Sequence, residues 1–238
     1  MLKVENLVFH PEEDGSKIDI INGISFELND GELMVVTGPN GGGKSTTAKL
    51  LMGIEKATEG RISLDGVDIS NMSISERAKT GMGFAFQQPP RFKGMTVKRL
   101  LELSSAEGVS EARCCELLSA VGLCAREYIN REIDATLSGG EMKRIEIATV
   151  LASPHKVSIF DEPEAGIDLW SFSMLVKEFE KLHAKSTQSI MIISHQERII
   201  QMADRIMVID NGEITAIGTR EEVYPKLIKG ERHACITD

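Results

Sequence analysis

The sequence predicts an α/β fold in which helices cover both faces of a largely parallel β-sheet, with an antiparallel β layer near the N-terminus. Three observations predict it. Short, strongly apolar runs alternate with segments of helical periodicity through most of the chain. The opening residues instead alternate as short strands separated by turns. A glycine-rich loop lies between a buried strand and a helix, the arrangement typical of phosphate-binding loops.

The first elements follow in order along the chain. Residues 5–10 and 17–28 show strand patterns, and the second run ends at the turn Asp30-Gly31. ELMVVT (32–37) predicts a buried strand that enters the glycine loop, and a helix is expected from Ser45 to about Gly53. These elements place the glycine loop at the carboxyl end of a strand.

The remaining elements continue the alternation. Residues 61–70 return to strand and turn, and helical periodicity extends from about Val97 to Val121. A further helix is expected from Ser138 to Ala152, and the tail beyond Lys229 is expected to be loose. Three more buried strands are expected at VSIFDEP (157–163), SIMIIS (189–194) and RIMVID (205–210), and the last of them turns at Asp210-Asn211-Gly212 into another strand.

Composition excludes several function classes. The 238 residues, 42% hydrophobic, fit one globular domain over 1–238. The longest aliphatic runs fall far short of the ~20 residues that cross a bilayer, and the start lacks a secretory signal, so no direct membrane insertion is expected. The net charge of −9 disfavours nucleic acid, and the lone basic cluster, MKR at 142–144, is expected to be a solvated face of a helix. Four cysteines without metal-site spacing favour reduced thiols and a cytoplasmic location.

The segment GPNGGGKST carries the strongest chemical signal. It matches G-x-x-x-x-G-K-[ST] with a strand before it and a helix after it. Backbone amides of the glycines would wrap the β-phosphate of ATP, Lys44 would meet the β- and γ-phosphates, and Ser45 would ligate Mg²⁺. The expected ATP-binding residues here are Gly38, Pro39, Asn40, Gly41, Gly42, Gly43, Lys44, Ser45 and Thr46.

Four further residues complete a candidate catalytic set. Asp161 and Glu162 end a buried strand, where the first would hold Mg²⁺ and the second would orient or deprotonate the attacking water. Gln87 lies where an apolar strand gives way to prolines, and its amide could contact the metal or the water. His195 directly follows IMIIS, and a neutral imidazole there can hydrogen-bond the γ-phosphate.

A second phosphate-binding pattern lies about a hundred residues downstream. In LSGGE, Ser138 could cap a helix, and Gly139 and Gly140 would leave its first N–H groups open to an anion. The glycine loop already supplies one phosphate site. A chain of this size would not be expected to need two phosphate sites, so the role of the second set of N–H donors is an open question.

The order of these motifs resembles that of ABC-type ATPase domains over nearly the whole chain: GPNGGGKST, FQQP, LSGGE, FDEP, a downstream Asp168, then ISH. The resemblance implies a P-loop NTPase (RecA-like) core with an N-terminal antiparallel β layer and a helical insertion at about 95–145. It implies hydrolysis of ATP to ADP and phosphate.

The same resemblance answers the question of the second phosphate site. It implies an ATP-dependent head-to-tail homodimer, in which Ser138, Gly139 and Gly140 of one subunit close over the γ-phosphate held by the partner's glycine loop. It adds Asp168 to the nucleotide-contacting residues and expects an aromatic side chain under adenine, for which Phe9 is the available candidate.

Two functional readings remain open within this family. The segments MGFAFQQP, SGGEMKR and SHQERI are similar to those of the ATPase of the SUF iron–sulfur cluster assembly system (SufC), which implies a SufB/SufD-type scaffold as partner. The alternative is the detachable ATPase subunit of a membrane transporter. In both, the segment from Gln87 through the helical insertion is the expected partner surface. A DNA- or ribosome-associated member fits badly, because paired domains and a long coiled-coil insertion are missing.

Overall fold

A computed structural model describes residues 1–13, 16–90, 92, 94–105 and 108–234. Its strands are β1 (Leu2–Phe9), β2 (Glu12–Glu13), β3 (Ser16–Lys17), β4 (Ile21–Leu28), β5 (Leu33–Thr37), β6 (Glu59–Leu64), β7 (Val67–Asp68), β8 (Met82–Ala85), β9 (Val157–Asp161), β10 (Ser189–Ile193), β11 (Arg205–Asp210) and β12 (Glu213–Thr219). Its helices are α1 (Lys44–Met52), α2 (Ile74–Lys79), α3 (Val97–Leu103), α4 (Glu111–Ala120), α5 (Ala125–Tyr128), α6 (Gly139–Leu151), α7 (Leu169–Ala184), α8 (Glu197–Ile200) and α9 (Arg220–Ala234).

The larger sheet has the strand order β12-β11-β5-β10-β9-β8. All neighbours in it are parallel except β12, which returns antiparallel to β11 through a tight turn. A second, antiparallel sheet has the order β4-β1-β6-β7. These two sheets confirm the predicted α/β fold with its N-terminal antiparallel layer. Because parallel strands end at one edge, β5, β8, β9 and β10 deliver the loops that follow them to the same side of the molecule.

Two apolar cores lie on opposite faces of the larger sheet. In β5, Leu33 and Val35 point to the helices of the central segment, whereas Met34 and Val36 point to the antiparallel sheet. This alternation follows from the two-residue period of a strand. The strand is completely buried, which is why ELMVVT is continuously apolar after its first residue.

Two expectations about helices were wrong in part. The predicted helix from Val97 to Val121 is two helices, α3 and α4, and Gly108 between them has a φ of 75°, which an L side chain rarely adopts. The tail expected to be loose beyond Lys229 continues α9 as far as Ala234. Residues 235–238, which the same expectation covered, lie outside the described residues.

Membrane-spanning potential can be judged from helix length and hydropathy. Over the described residues, no helix is both long and apolar enough to cross a bilayer.

Candidate nucleotide-binding site

The glycine loop connects the end of β5 to the start of α1. Gly38 has a φ of 130°, and a Cβ on it would lie 2.1 Å from the carbonyl oxygen of Ile209. Gly43 caps α1 with a φ of 105°, where a Cβ would lie 2.7 Å from the side chain of Ile21. Both positions therefore require glycine, because the loop packs directly on the end of β11 and on β4.

Lys44 is the first residue of α1 and its side chain turns back into the loop. It is 6% exposed, and its Nζ donates to the carbonyl oxygens of Gly38 and Pro39 at 2.8 Å each. Burial lowers the pKa of Lys44, while the carboxylates of Glu162 and Asp161 act in the opposite direction. A cation held among backbone groups in this way is positioned to meet phosphate oxygens.

Ser45 and Asp161 bring two oxygen donors together from distant parts of the chain. The Ser45 hydroxyl donates to Asp161 Oδ1 at 3.0 Å. Asp161 ends β9 and is 1% exposed, and burial raises its pKa. A hydroxyl and a carboxylate at hydrogen-bond distance form a hard-oxygen donor set, which fits the ligand preference of Mg²⁺. The ion would neutralise phosphate charge there.

Glu162 follows Asp161 and adopts an unusual backbone conformation. Its φ is 44°, in the left-handed region that costs a non-glycine residue energy and often marks functional sites. Gln87 Nε2 donates to Glu162 Oε2 at 2.8 Å, across 75 residues of sequence. The two sequence-predicted residues are therefore brought into direct contact.

His195 follows β10 and faces the same edge of the sheet. Its Nδ1 lies 3.5 Å from the Thr37 hydroxyl at the end of β5. Burial, and then the charge of Lys44, lower the pKa of His195, so the imidazole is neutral near pH 7 and can donate one ring N–H to an anion.

An open cleft of about 310 Å³ collects most of these groups. It is lined by Asn40, Gly41, Gly43, Lys44, Ser45, Thr46, Gln87 and Glu162. Of the described residues that line it, none comes from 138–140. The second set of predicted phosphate donors therefore lies outside the cleft in its own subunit.

The start of α6 is built as a capped helix terminus. The Ser138 hydroxyl accepts the Glu141 N–H at 3.2 Å, and Glu141 Oε2 accepts the Ser138 N–H at 2.6 Å. Tyr128 donates a short hydrogen bond to Glu141 Oε1. This bond, followed by the contacts with Ser138 and the charge of Arg131, lowers the pKa of Glu141 to about 2.

The two glycines of LSGGE differ in their surroundings. A Cβ on Gly140 would lie 2.2 Å from the carbonyl oxygen of Gly166, whereas nothing lies within 4 Å of a Cβ on Gly139. Gly140 is therefore required by a close approach to the loop before α7. That loop ends at Asp168, whose carboxylate caps α7 by accepting the N–H groups of Trp170 and Ser171 at 3.0 Å each.

Phe9, the candidate for adenine stacking, lies at the end of β1. It is partly buried and packs against the core between the two sheets. It is not among the described residues that line the cleft.

Three charged residues, of which Lys143 and Glu146 are buried and Glu164 is partly buried, were not predicted as site residues from the sequence. Glu164 accepts the Ser194 hydroxyl at 2.6 Å, beside His195, and burial raises its pKa. Lys143 and Glu146 lie on the inner face of α6, 1% and 8% exposed. Lys143 had been interpreted as part of a solvated basic cluster. One signal in the sequence could have predicted this burial. Both residues lie on the same face of α6 as the buried apolar residues Met142, Ile145 and Val150.

Fold and site together define a P-loop nucleoside triphosphatase. The sequence pattern of the ABC transporter family matches residues 21–165, well over half of the chain. The chain belongs to this family and is an ABC ATPase domain.

Comparison with known proteins adds relatives and a fold neighbour. An uncharacterized ABC transporter ATP-binding protein of Methanocaldococcus jannaschii is 39% identical over 231 residues, which cover 94% of this chain and 90% of that protein. The sulfate/thiosulfate import ATP-binding protein CysA of Mesorhizobium japonicum is 30% identical over 93% of this chain, and the chain spans 65% of its length. The dimeric ATP-binding cassette MJ0796 in a post-hydrolysis state with ADP and phosphate superposes with a TM-score of 0.83 at 23% identity, covering 92% of this chain and 99% of that one.

Proposed function

We propose that this chain is the ATP-binding and ATP-hydrolysing subunit of an ABC transporter and that it works as an ATP-dependent head-to-tail homodimer. The observation that carries the transporter assignment is the relative matched over nearly the full length of both chains, which is named as a transporter ATP-binding protein. CysA carries a transporter name as well.

The chemical roles follow from the groups in the cleft. Lys44 would bind the β- and γ-phosphates, and the amides of the glycine loop would wrap the β-phosphate. Ser45 and Asp161, with Gln87, would hold Mg²⁺. Glu162 would orient or deprotonate the attacking water, and its contact with Gln87 supports a shared role around that water. His195 would donate to the γ-phosphate.

The composite site is supported by the separation of the two donor sets. Lys44 and Glu162 line the cleft, and 138–140 do not. The Ser138 oxygen already accepts one N–H, so its own proton is available to an incoming phosphate. Next to Asp168, the side chains of Leu169 and Trp170 are 72% and 83% exposed. Large apolar side chains that exposed are typical of a surface covered by a partner, and the dimeric cassette MJ0796 has the same fold.

The partner surface would be an apolar groove beside Gln87. It has a volume of about 240 Å³ and is lined by Phe84, Phe86, Pro90, Phe92, Leu100, Ser104, Met142, Ile145, Glu146 and Thr149. Phe92 is 41% exposed, and the rings of Phe84 and Phe86 pack edge to face at 4.7 Å. Such a groove suits an apolar helical segment of a second protein.

The SUF reading rests on the three segments that resemble SufC. Neither the family match nor the relatives support a SufB/SufD partner, and they favour the transporter alternative. The two readings share the ATPase and differ in the protein that fills the groove.

A site-specific cross-link distinguishes them. A photoreactive amino acid at Phe92, in the groove, is activated in cells of the native host, and the captured protein is identified by mass spectrometry. The same residue at Val67, which is 53% exposed on the antiparallel sheet, serves as the control. Capture at 92 alone of a polytopic membrane protein supports the transporter assignment. Capture there of a soluble scaffold would replace it with the SUF role.

A further inference from the structure

Helix α6 carries two buried charges on its inner face that the proposed mechanism does not use. Lys143 is 1% exposed, and its Nζ donates to the carbonyl oxygens of Phe86 and of Asp161, the latter at 2.8 Å. It also lies 3.4 Å from the Gln87 carbonyl oxygen. One side chain of α6 therefore binds the main chain after β8 and the main chain at the end of β9.

Glu146, one turn further along α6, also binds the main chain of Phe86. Its Oε1 accepts the Phe86 N–H at 2.8 Å, so both main-chain polar groups of Phe86 are bound by α6. Its Oε2 is buried without a hydrogen-bond partner, 3.9 Å from Lys143 Nζ. A half-satisfied buried ion pair is costly and contributes little to stability compared with apolar residues of the same volume. The pair is therefore better explained by what it positions.

The segment that the pair holds leads directly to the water-orienting groups. Gln87 follows Phe86, and its amide contacts Glu162 at 2.8 Å. Asp161, whose carbonyl accepts from Lys143, immediately precedes Glu162. These hydrogen bonds would therefore transmit a shift of α6 to Gln87 and Glu162.

Both ends of this connection lie at surfaces that a partner would touch. Helix α6 begins at Ser138, the donor proposed for the partner's γ-phosphate. Phe86 and Glu146 line the apolar groove. The pair thus lies between the groove, the start of α6 and the catalytic carboxylates.

We propose that Lys143 and Glu146 are positioning residues that make α6 and the Phe86–Gln87 main chain move as one body, so that closure at Ser138 or occupancy of the groove sets the contact between Gln87 and Glu162. This inference rests on the proposed role of Gln87 at the water. Neither residue lines the cleft, so we expect substitution of the pair to change turnover and to leave nucleotide affinity nearly intact.

The test is a double-mutant cycle in the full chain. Lys143→Met/Glu146→Leu keeps side-chain volume and removes the polar connection, and Gln87→Ala removes the group that it acts through. We expect the double substitution to lower kcat roughly 10-fold, the scale of a slightly misplaced group, with ATP Kd changed less than about threefold. Adding Gln87→Ala should then lower kcat by no more than about twofold further. Glu146→Gln, which keeps the acceptor for Phe86 N–H, should retain most of the activity.

A matched control separates positioning from general stability. Arg77 is 3% exposed and also binds main-chain carbonyls, those of Leu50, Leu51, Ser70 and Met72, away from Gln87. If Arg77→Met lowers kcat, the combined variant Arg77→Met/Gln87→Ala should show the sum of the two single effects on the activation free energy.

The outcomes are distinct. Additive losses for the Lys143/Glu146 substitution and Gln87→Ala would overturn the inference and leave the proposed function standing. If Gln87→Ala alone has no effect on kcat, the proposed role of Gln87 fails and the inference fails with it. Circular dichroism and thermal melts verify folding, and Glu146→Leu alone replaces the double substitution in the cycle if that variant does not fold.

Discussion

The glycine loop at 38–45 and the start of α6 at 138–140 use the same residue types for different purposes. In the loop, glycine permits a sharp turn against β11 and the following lysine fills the interior with a buried cation. At α6, Gly140 permits a close approach to the carbonyl of Gly166, and the serine is an ordinary helix cap. Similar sequences thus encode one site inside a cleft and one exposed set of donors.

The difference lies in the charge that each region can offer. The loop has Lys44 together with the carboxylates of Asp161 and Glu162. The start of α6 offers a hydroxyl, a few amides and about half a unit charge from its dipole, all effective only at hydrogen-bond range. A region of the second kind contributes to catalysis when another subunit brings the phosphate to it.

The site in the cleft should depend most strongly on Glu162. We expect Glu162→Gln to lower ATP hydrolysis by roughly 10²-fold or more, because a positioned base is lost, while ATP binding by calorimetry is retained. The exposed Glu180→Gln on α7 serves as a matched control and should hydrolyse ATP normally. Full turnover in Glu162→Gln would remove that residue from its role.

Lys44→Ala should weaken ATP binding by roughly 10- to 100-fold, since charge-assisted bonds to the phosphates are lost. Calorimetry measures this directly. Lys181, which is 68% exposed on α7, provides the control substitution to alanine. An unchanged ATP affinity in Lys44→Ala would mean that the glycine loop is not the nucleotide site.

The exposed donors should matter only in the dimer. Ser138→Arg places bulk and like charge against the partner's Lys44, so we expect ATP binding to the monomer to persist while turnover falls at least about 10-fold. When Ser138→Arg is mixed with an equal amount of Lys44→Ala, about half of the dimers contain one subunit of each kind. Each such dimer has one intact composite site of two, so about one quarter of the wild-type activity should return. Normal hydrolysis by Ser138→Arg alone would exclude the head-to-tail arrangement. A mixture without activity would mean that it is wrong or that both sites must act together.

The exposed apolar surface next to Asp168 should contribute to the same interface. In a Glu162→Gln background, which holds ATP, Trp170→Ala should weaken dimerisation by about 10-fold in sedimentation experiments, as expected for loss of a large aromatic contact. Val67→Ala on the antiparallel sheet should leave dimerisation unchanged. An equal effect of both substitutions would place Trp170 outside the interface.

The smallest effect concerns the cap of α6. The hydrogen bond from Tyr128 lowers the pKa of Glu141 from 4.5 to about 2, so the ionised carboxylate stabilises the folded chain above pH 4.5 and this stability is lost as the pH falls from 4.5 towards 2. The melting temperature of the wild type should therefore exceed that of Glu141→Gln at pH 6, and the difference should shrink below pH 4. Tyr128→Phe should reduce the difference at pH 6. A gap that is constant with pH would contradict this account.

Local patterns account for what could be predicted. The glycine loop, the strand ending at Asp161 and the cap at Ser138 depend on neighbours within a few residues, so their spacing carries the information. Transporter and SUF readings could not be separated this way, because the partner's identity lies in surface residues and not in the catalytic motifs. The relatives favour the former, because the Methanocaldococcus jannaschii protein is named as a transporter ATP-binding protein.

Long-range contacts were invisible in the sequence. Lys143 and Phe86 are 57 residues apart, and Gln87 and Glu162 are 75 apart. The basic pattern MKR predicted a solvated face, yet the packing of α6 against β8 buries its lysine. The need for glycine at 140 likewise arose from the approach of the loop at 166.

The sequence by itself determined the nucleotide chemistry, because phosphate binding requires particular backbone conformations and charges at fixed local spacing. Which groups share a cleft, which lysine is buried, and which phosphate donors lie outside the cleft became visible with the tertiary structure. Burial and distance depend on how strands and helices pack. A sequence pattern identifies the buried face of each strand or helix, but it does not identify the element against which that face packs.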